Sequence, residues 1–541
     1  MLQPMRDNAM RQAVVQSATL PAPTAGWDSA SPLAAMPPLA AVQLKNIFPQ
    51  PGYLEVRRGF QQHAVGVGTS STSVETLMFW NGPTSSKMFA AGGGSIYDVT
   101  ASGLTGAAVQ TGITEDRWQW CNMTTSAGAF LFLVNGANNP RHYNGTTWTQ
   151  PSITGITSTD IVHVNVHKKR LWFVLKDTTK AAYLGTEAVA GAASTFELGS
   201  NFDQGGYLVA MSTWTLDGGS GPDDYAVFVS SKGQVAIYQG TDPSSASTWA
   251  LVGVFNTAAP IGRRCMVKYG NAPLLITIAG VQRLSLAFSK DQAELAEVAV
   301  TRNILNAMNI AARAYKDNFG WEVCVYPRGT RLILNIPTAE NATAKQFVMN
   351  TLTGAWCEFD GHNANCWLVF NEKLYFGTNI GKVMEADRSG ADEDDEIVAT
   401  GQTAYQTLFA AGNIKRFTML QPLMTVDGDV RPSVGISVDF AETSSMSTPS
   451  GSNSSSSLWD TAIWDQSLWG GGQTSTSDWT SAPSLGRFSS VRFVARTGTE
   501  ATVSRWGEAL WGQDGWGESD TDERVIQING FVVLAEVGGY I

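Results

Sequence analysis

The sequence predicts an all-β chain built around a β-propeller of six or seven blades, and three observations predict it. Only 15% of the 541 residues are charged, against roughly 25% in ordinary soluble domains, while Gly reaches 54. Short apolar runs return in pairs about a tight turn from residue 65 to 390. The turn centres, near 81, 135, 177, 232, 279, 328 and 371, are spaced by about 42–55 residues, close to the roughly 40–50 of a four-stranded blade.

The paired runs occupy 77–92, 130–145, 171–185, 225–240, 274–286, 323–337 and 367–381. Each reads as a hairpin, with Asn81-Gly82, Asn135-Gly136, Lys232-Gly233 and Arg328-Gly329 supplying the turn residues hairpins demand. Each is expected in a blade of its own. Trp148, Trp249 and Trp356 follow three of them as outer-strand aromatics. A pair of β-sandwiches with unrelated hairpins is the competing arrangement.

Before this region, residues 1–60 read as an extended N-terminal arm. Seven prolines fall in the first 50 residues, and proline removes a donor and fixes φ. Trp27, Leu33, Leu39, Val42, Leu44, Ile47 and Phe48 are too apolar for water, so the arm is expected to pack on another element or subunit. The propeller is placed at 61–390. Within it, 291–315 carries Leu295, Val298, Leu305, Met308 and Ala312 near helical spacing, with Asp291 as a cap, and reads as a helical insertion. Asp392, Glu393, Asp394, Asp395 and Glu396 form a solvated acidic linker, and 391–541 then alternates as a β-sandwich-like domain.

Two rows of tryptophan mark that last domain: Trp459, Trp464 and Trp469, then Trp506, Trp511 and Trp516, each with spacing five. Five is neither a helix nor a strand period, so a repeated turn must carry each indole. Asp or Gly follows every one of the six. Six exposed indoles would aggregate, so the rows are expected to stack as one cluster. A sugar-binding or partner-binding face is the functional alternative.

Chemistry-bearing patterns are sparse. The five cysteines, Cys121, Cys265, Cys324, Cys357 and Cys366, contain no CxxC and suit a reducing cytosol better than a disulfide framework. His163 and His167 fall four apart in a strand pattern, some 13 Å along one face and too far for one metal. HExxH, GxSxG and Walker patterns are absent. An enzyme would need paired carboxylates, and Asp217, Asp223, Asp224, Asp360 and Asp387 are the candidates. The net charge of -11 argues against gripping nucleic-acid phosphates. The most apolar window, 273–288, is broken by Gln282 and Arg283, so no membrane span is expected. The early arginines are followed by no apolar stretch, so no secretion signal is read.

Residues 32–63 carry Asn46, Phe48-Pro49, Pro51-Gly52-Tyr53, Arg57 and Gly59-Phe60 after a Pro-rich lead. This run resembles the start of tail nozzle (tail tubular B-type) proteins of short-tailed bacteriophages. So do Phe319-Gly320-Trp321, Leu334-Asn335-Ile336-Pro337, Phe347-Val348-Met349-Asn350, Thr353-Gly354-Ala355-Trp356, Phe376-Gly377, Gly381 and Ala386-Asp387. The resemblance spans roughly 30–430. It implies a structural virion protein, assembled in the host cytoplasm as a homohexameric ring in the phage tail. That ring would dock below the portal adaptor, contact tail fibres or spikes, and pass genomic DNA without specific binding. No catalytic residue, cofactor or metal is expected. The interface candidates are Trp27, Leu39, Ile47, Phe48 and the six tryptophans of the two rows. A glycan-binding or glycan-cleaving receptor-recognition propeller is the alternative function.

Overall fold

The structure is a computed structural model and describes residues 15–217, 222–270, 272–288, 294–409, 411–426, 432–442, 446–448, 474–497 and 525–538. The chain divides into two units, Gly59–Glu393 and a second made of Met1–Arg58 with Asp394–Ile541.

Gly59–Glu393 is a seven-bladed β-propeller. Blade 1 is Thr76–Asn81, Ser86–Gly92 and Ser95–Asp98. Blade 2 is Gln119–Thr125, Gly128–Val134, Arg141–Tyr143 and Trp148–Thr149. Blade 3 is Ile161–His167, Arg170–Leu175, Lys180–Tyr183 and Ser194–Glu197. Blade 4 is Leu208–Asp217, Pro222–Ser230, Gln234–Gly240 and Trp249–Asn256. Blade 5 is Met266–Tyr269, Ala272–Thr277 and Gly280–Arg283. Blade 6 is Glu322–Tyr326, Arg331–Ala339, Thr343–Asn350 and Trp356–Phe359. Blade 7 is Cys366–Phe370, Lys373–Gly377 and Lys382–Ala386, and the early strand Phe60–Val65 completes it antiparallel to Lys382–Ala386. The first strand of each blade touches the first strand of the next, and blade 7 returns to blade 1. Each of the seven hairpins read from the sequence lies in a different blade.

The apolar runs are continuous because both faces of a blade are buried. In blade 3, Trp172 and Val174 pack with Met211 and Phe228 of blade 4. The intervening Leu171, Phe173 and Leu175 pack with Phe132 and Val134 of blade 2. Leu131 and Leu133 of blade 2 turn the other way, onto Met78, Trp80 and Phe89 of blade 1. Each fully buried large side chain contributes roughly 1.5–3 kcal/mol, so the interfaces between blades hold most of the apolar stabilisation.

Gly136 and Gly233 adopt φ values of 76° and 88° in their turns, as the sequence demands. In the Arg328-Gly329 turn the left-handed residue is Thr330, at 49°. The helical insertion is shorter than expected. The α-helix runs Leu305–Tyr315 and buries Met308, Ala311 and Ala312. Leu295 is buried without helix, because 294–301 turns back along blade 5 to bridge Gln282 through Ala299. Asp291, the expected cap, lies outside the described residues.

The other unit corrects the reading of 1–60 as a separate arm. Val15–Pro21 pairs antiparallel with Ile526–Val537, which also pairs with Lys415–Val426 and with Tyr53–Val56. A second sheet contains Ala40–Lys45, Val398–Thr403, Ser489–Arg496 and Ser433–Val438 in that order, with Gly26–Trp27 beside Ala40–Lys45. Phe493 and Phe531 join the two sheets at 5.1 Å between ring centroids. The described prolines mislead because they stand at strand ends and in connections, or, like Pro49, in the edge strand Ile47–Gln50, where little backbone pairing is lost. The arm is therefore half of a domain, and the far end of the chain is the other half.

Asn371 and Glu372 form the two-residue turn of blade 7 with φ of 47° and 62°. That geometry favours Asn-Gly, and a side chain in this region costs about 1–2 kcal/mol. Glu372→Gly is expected to raise stability by ~0.5 kcal/mol after the added freedom of the unfolded glycine is subtracted. Urea midpoints of the two proteins check it.

Candidate functional site at the axial channel

A propeller's axis is where the first strands of all blades converge, and here side chains close it. Arg264 enters from the crossing into blade 5. Its Nη1 donates to Glu322 Oε2 of blade 6 at 3.1 Å. Its Nη2 reaches the far side of the ring, donating to the Glu75 carbonyl at 2.9 Å and to Thr76 Oγ1 of blade 1 at 2.8 Å. The Trp118 carbonyl, at the entry to blade 2, lies at 3.4 Å. One guanidinium thus ties blade 5 to blades 6, 1 and 2. Glu322 extends the chain by accepting the Trp367 N–H of blade 7.

Arg117 forms a second tier. It donates to Glu75 at 2.8 Å and to Glu340 in the turn of blade 6, and its guanidinium lies 4.2 Å from the Phe319 ring centroid. Arg264 stands 4.9 Å from the same ring, so two cations share one aromatic. Arg263 donates to the Asn135 carbonyl of blade 2 at 3.3 Å. Thr76 organises the knot: its hydroxyl donates to the Asp116 carbonyl at 2.7 Å and accepts the Trp118 N–H at 3.0 Å.

Burial sets the charges. It pushes the Glu322 carboxyl up, against the pull of Arg264. It pushes Asp116 up to about 6, opposed by the Gly94 N–H and reinforced by Glu75 and Glu115. His163, in blade 3, is held down to about 4 by burial, with Arg263 adding to the effect. His167 is likewise held down to about 4 by burial; Asp224 opposes, while Lys168 and Lys268 reinforce. All five cysteines are free, and burial pushes Cys121, Cys265 and Cys366 up to about 12, so these thiols stay protonated at neutral pH.

The residues singled out by sequence do not meet here. Ile47 and Phe48 are fully buried in the terminal unit, which removes them as docking candidates. They are core because Ile47–Gln50 is a strand of a sheet rather than an arm laid over a surface. Leu39 is exposed at 44% and Trp27 is half-buried. Trp459, Trp464, Trp469, Trp506, Trp511 and Trp516 lie outside the described residues. The acidic linker straddles the division at Glu393 and Asp394. Glu393 pairs with Lys382 at 2.8 Å, Glu396 pairs with Arg496, and Asp394 and Asp395 are exposed. Among the candidate carboxylates, Asp224 is taken up by Lys168 at 3.0 Å in blade 4 and Asp387 by Arg331 at 2.6 Å beside blade 7. Asp360 follows blade 6, and the side chains of Asp217 and Asp223 fall outside the description. The arginine knot itself went unread in the sequence; its only trace is Arg263-Arg264 directly before an apolar strand.

Fold and axis together define a seven-bladed β-propeller with charged side chains bonded across its axis, joined to a β-sandwich-like unit. No family model matches the chain, and no curated protein matches it. Solved structures similar to it include BBS1N in complex with ARL6DN, at 10% identity and a TM-score of 0.40, covering 61% of this chain and 97% of that one. YCF48 bound to D1 peptide has 10% identity and a TM-score of 0.37, covering 65% and 99%. Saccharomyces cerevisiae Sqt1 has 11% identity and a TM-score of 0.35, covering 61% and 99%. Among the described residues no helix is long and apolar enough to cross a membrane.

Two predictions follow from the axis. Arg264 and Glu322 are 11% and 12% exposed. Arg264→Ala leaves a buried carboxylate unpaired and is expected to cost about 3–5 kcal/mol, with Glu322→Gln restoring part of the loss in the double variant. A denaturant double-mutant cycle measures this. The second concerns pH. The unfolded chain takes up histidine protons near 6.5 and the folded His163 and His167 only near 4. Between those values the unfolded chain binds more protons, so stability falls as pH falls. Asp116 acts in the opposite sense, since its folded carboxyl takes a proton near 6 and its unfolded one near 3.8. His163→Gln is expected to flatten the decline between pH 6.5 and 4, read as urea midpoints across that range.

Proposed function

We propose that this chain is a wall subunit of the tail nozzle of a short-tailed bacteriophage, a cyclic assembly of six copies through which the genome leaves. It works as a conduit without catalysis. It docks below the portal adaptor and offers its outer surface to tail fibres or spikes. The observation that carries the reading is the set of segments resembling nozzle proteins, because they coincide with positions that hold the fold. Asn46 takes the strained φ of 57° and accepts from Arg57, itself 3% exposed, at 2.9 Å. Asn335, fully buried, donates to the Gly320 and Ala364 carbonyls and accepts from Gln346 and Trp367. Trp356, in Thr353-Gly354-Ala355-Trp356, donates to the Val300 carbonyl at 3.1 Å. A resemblance concentrated on such residues is a resemblance of architecture.

The side chains bonded across the axis support the same reading, since a DNA path in such an assembly must run between copies and not through a propeller. Charge supports it too. The terminal unit carries 21 Asp+Glu against 13 Lys+Arg, and the propeller 26 against 23. A negative wall repels phosphate and lets a duplex slide.

Purified protein, alone or with an adaptor ring, is expected to give a cyclic hexamer in native mass spectrometry and particle images. Duplex DNA should bind weakly at physiological salt. Nanomolar, salt-dependent DNA binding would overturn the sliding-wall mechanism, and polysaccharide turnover lost on substituting propeller aspartates would replace it with an enzyme.

A further inference from the structure

The outermost strand of a blade can offer outward N–H and C=O groups to another chain. Six of the seven edges are short, covered or charged. Trp148–Thr149 and Gly103–Leu104, the latter outermost on blade 7, have two residues each. Ser95–Asp98 and Gly280–Arg283 have four, and the bridges Ile96–Gln110 and Gln282–Ala299 cover part of each. Ser194–Glu197 ends on Glu197, ion-paired to Lys180 at 2.9 Å. Trp356–Phe359 is largely buried and carries Glu358, paired with Lys345.

Blade 4 differs. Its outer strand Trp249–Asn256 runs for eight residues, with Leu251 and Val252 exposed at 44% and 52%. No charged residue stands between Asp242 and Arg263. A bulge at Val252 interrupts the ladder to Gln234–Gly240, and pairing resumes on both sides of it. A long, uncharged, apolar edge invites addition of a further strand.

A second edge has the same character. Val15–Pro21 pairs on one side with Ile526–Val537 and, among the described residues, with nothing on the other. Leu20 is its one buried residue, and no charge lies between Arg11 and Asp28. Charge then selects the partner. Copies at -11 each repel one another, and they approach at least cost along strands that carry no charge of their own. Seven residues against eight also match in length.

We propose that Val15–Pro21 of one copy adds as a fifth strand to blade 4 of the next, along Trp249–Asn256. The two edges differ, so the contact is heterologous, the type that closes into rings. It rests on the reading that copies form a ring, and names the surfaces that join them.

The test uses the full chain. Leu251→Lys with Val252→Lys places two charges on exposed positions. This variant is expected to lose the oligomer in native mass spectrometry at a concentration where the parent is fully assembled, with an unchanged melting profile for the propeller. Independently, Ser17→Cys with Val252→Cys should give cross-links between copies on mild oxidation, and neither single variant should. A parent ring with an equally assembled lysine variant and no cross-link overturns this contact and leaves the ring reading standing. A monomeric parent overturns both.

Discussion

The constraint on which the propeller depends is that no blade can bury itself. A three- or four-stranded sheet that is apolar on both faces needs a neighbour on each side, so the row of blades is stable only when it closes. Phe132 and Trp172 belong to different interfaces, yet each requires the next blade in place before its surface leaves water. Closure therefore acts on all seven interfaces together, and the axial side chains lock it. Arg264 spans the hole because it is long enough to reach blades 1 and 6 at once, and because a planar guanidinium satisfies a carboxylate, a carbonyl and a hydroxyl in a single orientation.

This arrangement also separates two uses of buried charge. At the axis, cations and carboxylates are paired across blades, where losing either partner strands the other. In the blades, His163 and His167 are kept neutral by burial and enter the packing as polar aromatics. Neither pattern resembles a site in which two acids are left open to a substrate. Two of the five aspartates that suggested one from sequence, Asp224 and Asp387, are engaged by Lys168 and Arg331.

Much of the propeller was legible because its information is local. An apolar run, a turn residue and a second apolar run specify a hairpin without reference to the rest of the chain, and the spacing of hairpins specifies the repeat. What escaped was either weakly local or not local at all. The periodicity from Leu295 through Ala312 suggested a helix or two short ones, but 295–300 forms turns and one bridge from Ala299 to Gln282, and the α-helix starts only at Leu305. Prolines suggested an extended arm laid on a surface, while the strand partner of Val15–Pro21 lay more than 500 residues away. The axial knot joins Arg264 to Thr76 across 188 residues and Arg117 to Glu340 across 223, and no window of sequence contains both ends.

Blade 7 takes Phe60–Val65 from the start of the propeller and three strands from its end. The terminal unit is likewise sewn from both ends of the chain. A ribosome adding about 5–20 residues per second must therefore make some 320 more residues after Phe60–Val65 before that strand finds its partner. The central strand Ile526–Val537 is made after all three of the strands it pairs with. A chain cut short before Lys382–Ala386 cannot close the propeller, and one cut short before Ile526–Val537 lacks the strand on which Val15–Pro21 pairs. Removing Ile526–Val537 would therefore strip Val15–Pro21, Tyr53–Val56 and Lys415–Val426 of a shared partner at one stroke.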